Sequence, residues 1–227
     1  MKKNLSVAEL INLLLVVAAI VAAIVLYPGM PDQMPTHWNT EGQVNGYMPK
    51  LAGLFLLPGI MVVLFLLFYA VPRIDPLRGN IAQFRPAYDR FIIILNLFLL
   101  AVYAATLLWS RGVELSMNTL IIIGLAVLIF AIGSLCGKAK RNYFVGIRTP
   151  WTLQSETVWE KTHKLAATLF HIAGVVVVLG VFVPREVLPQ IILLLILVPV
   201  TGVTLILVLY SYVMYEREQR AISQNHR

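Results

Sequence analysis

The sequence predicts an all-α membrane protein, a bundle of about six transmembrane helices with both termini in the cytoplasm, and three observations carry that expectation. Apolar residues make up 59% of the 227 positions and charged residues only 13%, about half the charged share of ordinary soluble domains. Six windows meet or approach the roughly 20 apolar residues that a bilayer crossing needs. The 18 Lys and Arg lie between those windows rather than on one soluble face, which argues against direct nucleic-acid binding and for topology.

The windows run from Val7 to Tyr27, Leu51 to Val71, Phe91 to Trp109, Asn118 to Cys136, Leu165 to Val183 and Ile191 to Tyr212. Each is continuously apolar, whereas the strands of a membrane barrel alternate over about ten residues; the fold is therefore helical. Met1-Lys2-Lys3 before the first window resembles a signal peptide. The window ends in Tyr27-Pro28-Gly29 without a small-x-small cleavage site, so it is read as an uncleaved first helix. Pro58-Gly59 in the second window and Pro199 with Thr201-Gly202 in the sixth are sites of expected kinks facing the bundle interior. Gly133 and Gly137 form a small-xxx-small pair that allows close helix approach. The single cysteine, Cys136, excludes an intrachain disulfide and reads as a structural thiol.

Lysine and arginine beside a span are retained in the cytoplasm. With the N-terminus inside, that side receives Lys2 and Lys3, Arg73, Arg78, Arg85 and Arg90, then Lys138, Lys140, Arg141, Arg148, Lys161 and Lys164, and finally Arg217, Arg220 and Arg227. Only Lys50, Arg111 and Arg185 remain outside. The chain accordingly divides into an N-terminal three-helix half, 1–110, with an extracytoplasmic loop at 28–50, and a C-terminal three-helix half, 111–227, with a cytoplasmic loop at 137–164. No internal repeat relates the halves.

Two connections exceed the usual length and so attract functional reading. The outer one, Pro28 to Lys50, carries four prolines, turn glycines Gly42 and Gly46, and Trp38 and Tyr47 suited to the headgroup level. Asp32, His37 and Glu41 are the residue types of a metal or proton-sensitive site; the alternative is that they are solvated or cap turns, and no metal or other cofactor is predicted. In the inner connection, Ser155 is an N-cap, Glu156 suits the first helical turn, and Glu160 and Lys164 stand four apart with favourable polarity. Glu156, Trp159 and His163 share one face, readable as a binding surface or as interfacial anchoring.

The string Asn142-Tyr143-Phe144-Val145-Gly146-Ile147-Arg148-Thr149-Pro150-Trp151-Thr152-Leu153, followed by Ser155-Glu156-Thr157-Val158-Trp159 and His163, closely resembles the signature of the SdpI family of bacterial toxin-immunity membrane proteins. Pro31, Pro35, His37, Gly42, Gly46 and Lys50 resemble the Pro-x-x-x-Pro-x-His pattern of the N-terminal domain, of undefined function, that accompanies this family. The resemblance covers nearly the whole chain. It implies an immunity protein in the bacterial cell membrane, facing a secreted antimicrobial peptide toxin, and a receptor that holds a cytoplasmic transcriptional repressor at the membrane. It makes Asn142, Gly146, Arg148, Thr149, Trp151, Glu156, Trp159 and His163 the candidate toxin- or partner-binding motif, with Asp32, Pro35, His37, Gly42, Gly46 and Lys50 in the outer loop.

Two other classes compete. A small-molecule transporter or channel would use intramembrane polar groups, and Asn96, Thr106, His171, Thr201 and Thr204 are the candidates. An intramembrane hydrolase would need His-Glu-x-x-His or a nucleophile beside a base; neither motif is present, so no catalytic residue is assigned. The Lys138, Lys140, Arg141 and Arg148 cluster suits anionic membrane lipid or an acidic protein surface.

Overall fold

The computed structural model describes residues 5–184 and 186–225. Lys2, Lys3, Arg185 and Arg227 of the charge argument lie outside the described residues. The elements in order are α1 (Val7–Leu26), β1 (Gln33–Trp38), β2 (Val44–Pro49), α2 (Lys50–Ile74), α3 (Arg78–Gln83), α4 (Arg85–Trp109), α5 (Met117–Cys136), α6 (Pro150–Gln154), α7 (Glu156–Val178) and α8 (Leu188–Asn225). Helices α1, α2, α4, α5, α7 and α8 are each long and apolar enough to cross a membrane.

Local chemistry starts several of these helices. Ser6 and Glu9 form a capping box at α1, Ser116 accepts from the Thr119 amide at α5, and Ser155 accepts from the Val158 amide at α7. In the last case the cap falls where the sequence places it. Helix α2 contains Pro58 with its ring buried, and α8 continues through Pro199.

Three apolar clusters hold the bundle. Val16, Ala19 and Ala23 of α1 meet Leu54 and Met61 of α2 and Tyr103 of α4; Ala126 and Ile129 of α5 meet Phe170 and Ala173 of α7 and Leu207 of α8. Between them, Val71, Ile81, Tyr88 and Ile92 pack with Leu135 and Trp159, so α2, α3 and α4 join α5 and α7 near one end. In lipid this packing draws on close backbone approach, because the tails are as apolar as the side chains. A Cβ at Gly133 would stand 2.9 Å from the Ala167 carbonyl, and one at Gly174 would stand 3.1 Å from that of Ala126. The Gly133 and Gly137 pair thus seats α5 on α7, with Gly174 completing the contact from the other side. Helix α5 has 44% of its apolar window buried and α8 only 17%, making α5 central and α8 peripheral.

The first long connection folds as an antiparallel hairpin, an element that its prolines concealed. Register shifts on either side of His37 accommodate the irregular strand. Gly42, at φ 82°, closes the tip, and the Thr40 carbonyl accepts from Asn118 at 2.6 Å, which ties the tip to α5. Met34 is fully buried against Gly53, where a Cβ would stand 2.8 Å from the Met34 Cβ.

Candidate functional site

The second long connection, 137–155, is a folded module at the end of the bundle opposite the hairpin. Its centre is Asn142, which is completely buried. The Asn142 carboxamide donates to the Lys140 and Val145 carbonyls (2.8 and 3.0 Å) and accepts from the Phe144 and Val145 amides (2.9 and 2.7 Å). One side chain therefore replaces the backbone pairing that this turn lacks. Gly146 follows at φ 106°, in the left-handed region, and its missing Cβ leaves room for the His163 ring.

His163 is buried and bridges two turns of backbone. The Ile147 amide donates to Nε2 at 3.0 Å, and Nδ1 lies 2.8 Å from the Trp159 carbonyl. An amide can donate only to an unprotonated nitrogen, so this network assigns the proton to Nδ1. The ring stacks on Trp159 with centroids 4.0 Å apart, and Trp159 donates its indole N–H to the Ala139 carbonyl at 2.8 Å. Trp159 is fully buried. On the face that Glu156, Trp159 and His163 share, Trp159 and His163 point into the protein, while Glu156, in the first turn, stays exposed. Periodicity identifies a face without saying which way it turns.

Thr149 caps α6, accepting from the Thr152 amide, and its hydroxyl meets that of Ser211 on α8 at 3.0 Å. Trp151 packs against Tyr212 with centroids 5.1 Å apart, and Tyr215 donates to the Gln154 side chain at 2.7 Å. Arg148 is exposed and donates to the Tyr143 carbonyl at 2.6 Å. With Tyr143 and Phe144, both exposed, it forms the outward edge of the module. The expected Glu160 and Lys164 pair is replaced: Glu160 binds Lys140 at 2.9 Å, raising the Lys140 pKa through that hydrogen bond.

Several residues escaped the sequence reading. Asp75, almost fully buried between α2 and α3, accepts from the Leu77 amide at 2.6 Å and the Tyr143 amide at 2.9 Å. Asn80 donates to the Arg141 carbonyl at 2.7 Å. Arg73 and Arg85 converge on Glu9 at 2.9 and 3.0 Å, and Arg85 also holds Asp89 at 2.6 Å. The only signal available was an acid, Glu9, at the edge of a window otherwise without charge.

At the hairpin end, Asp32 pairs with Lys50 at 3.3 Å, His37 Nδ1 meets the Asn45 side chain, and Glu41 accepts from Thr40. Pro35 is buried and Gly46 lies opposite His37. Asp32, His37 and Glu41 do not converge on a common centre, and no metal-ligating group of three occurs among the described residues. A crevice of about 400 Å³ opens beside the hairpin between Pro31, Gln33, Tyr47, Trp109 and Glu114. Of the transport candidates, Asn96 donates to Asn12 at 2.9 Å, Thr106, Thr201 and Thr204 donate to carbonyls within their own helices, and His171 Nε2 meets Ser134 at 3.0 Å.

The buried Asn142, the glycine-accommodated His163 and the Thr149 cap occupy a segment with known counterparts: the SdpI/YfhL protein family model matches residues 138–211. A second model, described as a domain of unknown function (DUF1648), matches residues 14–62, which include the hairpin. The chain is 28% identical over 205 residues to the immunity protein SdpI of Bacillus subtilis (strain 168), covering 90% of this chain and 94% of that protein. It is also 44% identical over 48 residues to the uncharacterized membrane protein YbgB of the same strain, covering 21% of this chain and about half of that protein (53%). No solved structure matches. With the six apolar helices, these similarities identify a multi-pass bacterial membrane protein.

Proposed function

We propose that this protein is an integral membrane immunity protein that protects its cell against a secreted antimicrobial peptide toxin. The observation that carries the reading is similarity to the immunity protein SdpI along nine-tenths of the chain, 90%, rather than over one motif. The hairpin and its crevice then face the toxin outside the cell, and the module around Asn142 lies in the cytoplasm, as the distribution of cations favours. Within that module, Asn142, Gly146, Thr149, Trp159 and His163 serve as scaffold. Arg148, Trp151 and Glu156, with Tyr143 and Phe144, are the residues available to a partner.

A receptor role extends the same reading: toxin binding at the hairpin end favours one packing of the bundle, and the exposed edge of the module then holds a transcriptional repressor at the membrane. Such coupling requires the toxin to bind two arrangements with different affinity. The polar residues of the transporter alternative bond within or between helices, which gives a conduction path no particular support.

The decisive experiment expresses the protein in a toxin-sensitive host and measures survival across a panel of secreted peptide toxins. Protection is expected, with Arg148→Ala and Trp151→Ala reducing it at unchanged membrane abundance. Unchanged killing across the panel, with the protein present in the membrane, would overturn the reading. The receptor extension expects a soluble DNA-binding protein to co-purify only from toxin-treated cells, and its absence there removes that extension alone.

A further inference from the structure

A second cavity lies apart from the hairpin crevice and from the exposed edge of the module. It is a groove of about 980 Å³ between α4, α5 and α7, at the upper end of the range typical for small-molecule sites. Phe91 and Ile94 of α4 face Val127, Phe130 and Ala131 of α5 across it. The polar step in this wall is already satisfied, because His171 meets Ser134 at 3.0 Å and the Ser134 hydroxyl also reaches the Phe130 carbonyl at 3.1 Å. An apolar chain can lie there without stranding a hydrogen-bonding group.

The groove is charged at one end only. Arg90 and Lys138 line it, both exposed, and neither has an ion-pair partner among the described residues. The third cation, Lys140, is committed to Glu160. No aspartate or glutamate lines the groove. Arg90 directly precedes the apolar window beginning at Phe91, and Lys138 follows the one ending at Cys136, so both side chains sit at headgroup depth.

We propose that this groove is a binding site for one anionic phospholipid, its phosphate held by Arg90 and Lys138 and an acyl chain laid against Phe91, Val127 and Phe130. The charge pattern favours lipid over a protein helix, since bilayer phosphates are present at that depth and a protein would have to bring an acid to it. The site is independent of the toxin-protection reading.

The test is native mass spectrometry of the full chain released from nanodiscs of equal phosphatidylglycerol and phosphatidylcholine. One phosphatidylglycerol should be retained in preference, and Arg90→Gln with Lys138→Gln should cut that preference by roughly 25-fold, about five-fold per cation. Ala131→Trp and Val127→Trp, which fill the groove, should abolish retention with helical circular dichroism unchanged. Because Arg90 and Lys138 are exposed, their double variant keeps the test decisive if a tryptophan variant misfolds. Equal retention of both lipids, undiminished retention in folded tryptophan variants, or displacement of the lipid by millimolar inorganic phosphate alone would each overturn the proposal.

Discussion

The Asp75 carboxylate accepts a hydrogen bond from the Tyr143 amide at 2.9 Å, across 68 residues of sequence. The turn that carries the family signature is therefore held by the connection between α2 and α3, and its second clasp, Asn80 to the Arg141 carbonyl, comes from α3 itself. Asp75→Ala strands two amides, those of Leu77 and Tyr143, at about 1–3 kcal/mol for each buried group left unpaired. We expect a lower melting temperature in detergent and faster tryptic cleavage at Arg141 and Arg148. Unchanged cleavage would mean that the turn holds its shape without Asp75.

Gly146 and His163 should behave as one unit. Gly146→Ala forces a side chain into the left-handed region, at about 1–2 kcal/mol, and drives its Cβ into the His163 ring. His163→Ala deprives the Ile147 amide of its acceptor. Combining the two removes the clash, so the double variant should be more stable than the sum of the single losses predicts, by roughly 0.5–3 kcal/mol for residues in contact. Additive losses in thermal unfolding would count against the contact.

The two kinds of ion pair differ in expected worth. Glu9 is nearly buried beneath Arg73 and Arg85, whose side chains keep 33% and 27% exposure. Glu9→Leu should cost about 2–3 kcal/mol, below the 3–5 kcal/mol of a fully buried pair because the guanidinium groups still reach water. Glu160 and Lys140 stand largely open, and Glu160→Gln should shift stability by no more than about 1 kcal/mol. Equal losses on thermal denaturation would refute this ordering.

Compartment assignment can be read with thiol chemistry, because the native Cys136 is buried. In a Cys136→Ala background, an impermeant maleimide added to intact cells should label His37→Cys and spare Arg148→Cys until the membrane is opened. The reverse pattern would invert the proposed sides of the toxin and the cytoplasmic partner.

How far the sequence could be read depended on the range of each interaction. The six crossings follow from uninterrupted apolar runs, and Ser155 as a cap follows from its immediate neighbours. The hairpin stayed hidden because Pro35 and the shifts around His37 break strand alternation. Asp75 and Asn80 are ordinary polar residues until the fold brings Tyr143 and Arg141 to them. Glu160 found Lys140, twenty positions back, in preference to its helical neighbour.

The length of α8 has a mechanical result. Its 38 residues extend about 57 Å, nearly twice the roughly 30 Å of hydrocarbon it must cross. Ser211 and Tyr215 pin it to α6 near the point where it leaves the apolar run, and Asn225 lies roughly 20 Å further along. The final stretch is thus a lever with its fulcrum against Thr149 and Gln154: a 10° tilt there sweeps the tip by about 3–4 Å over that arm, turning a small rearrangement within the bilayer into a displacement that another molecule can feel.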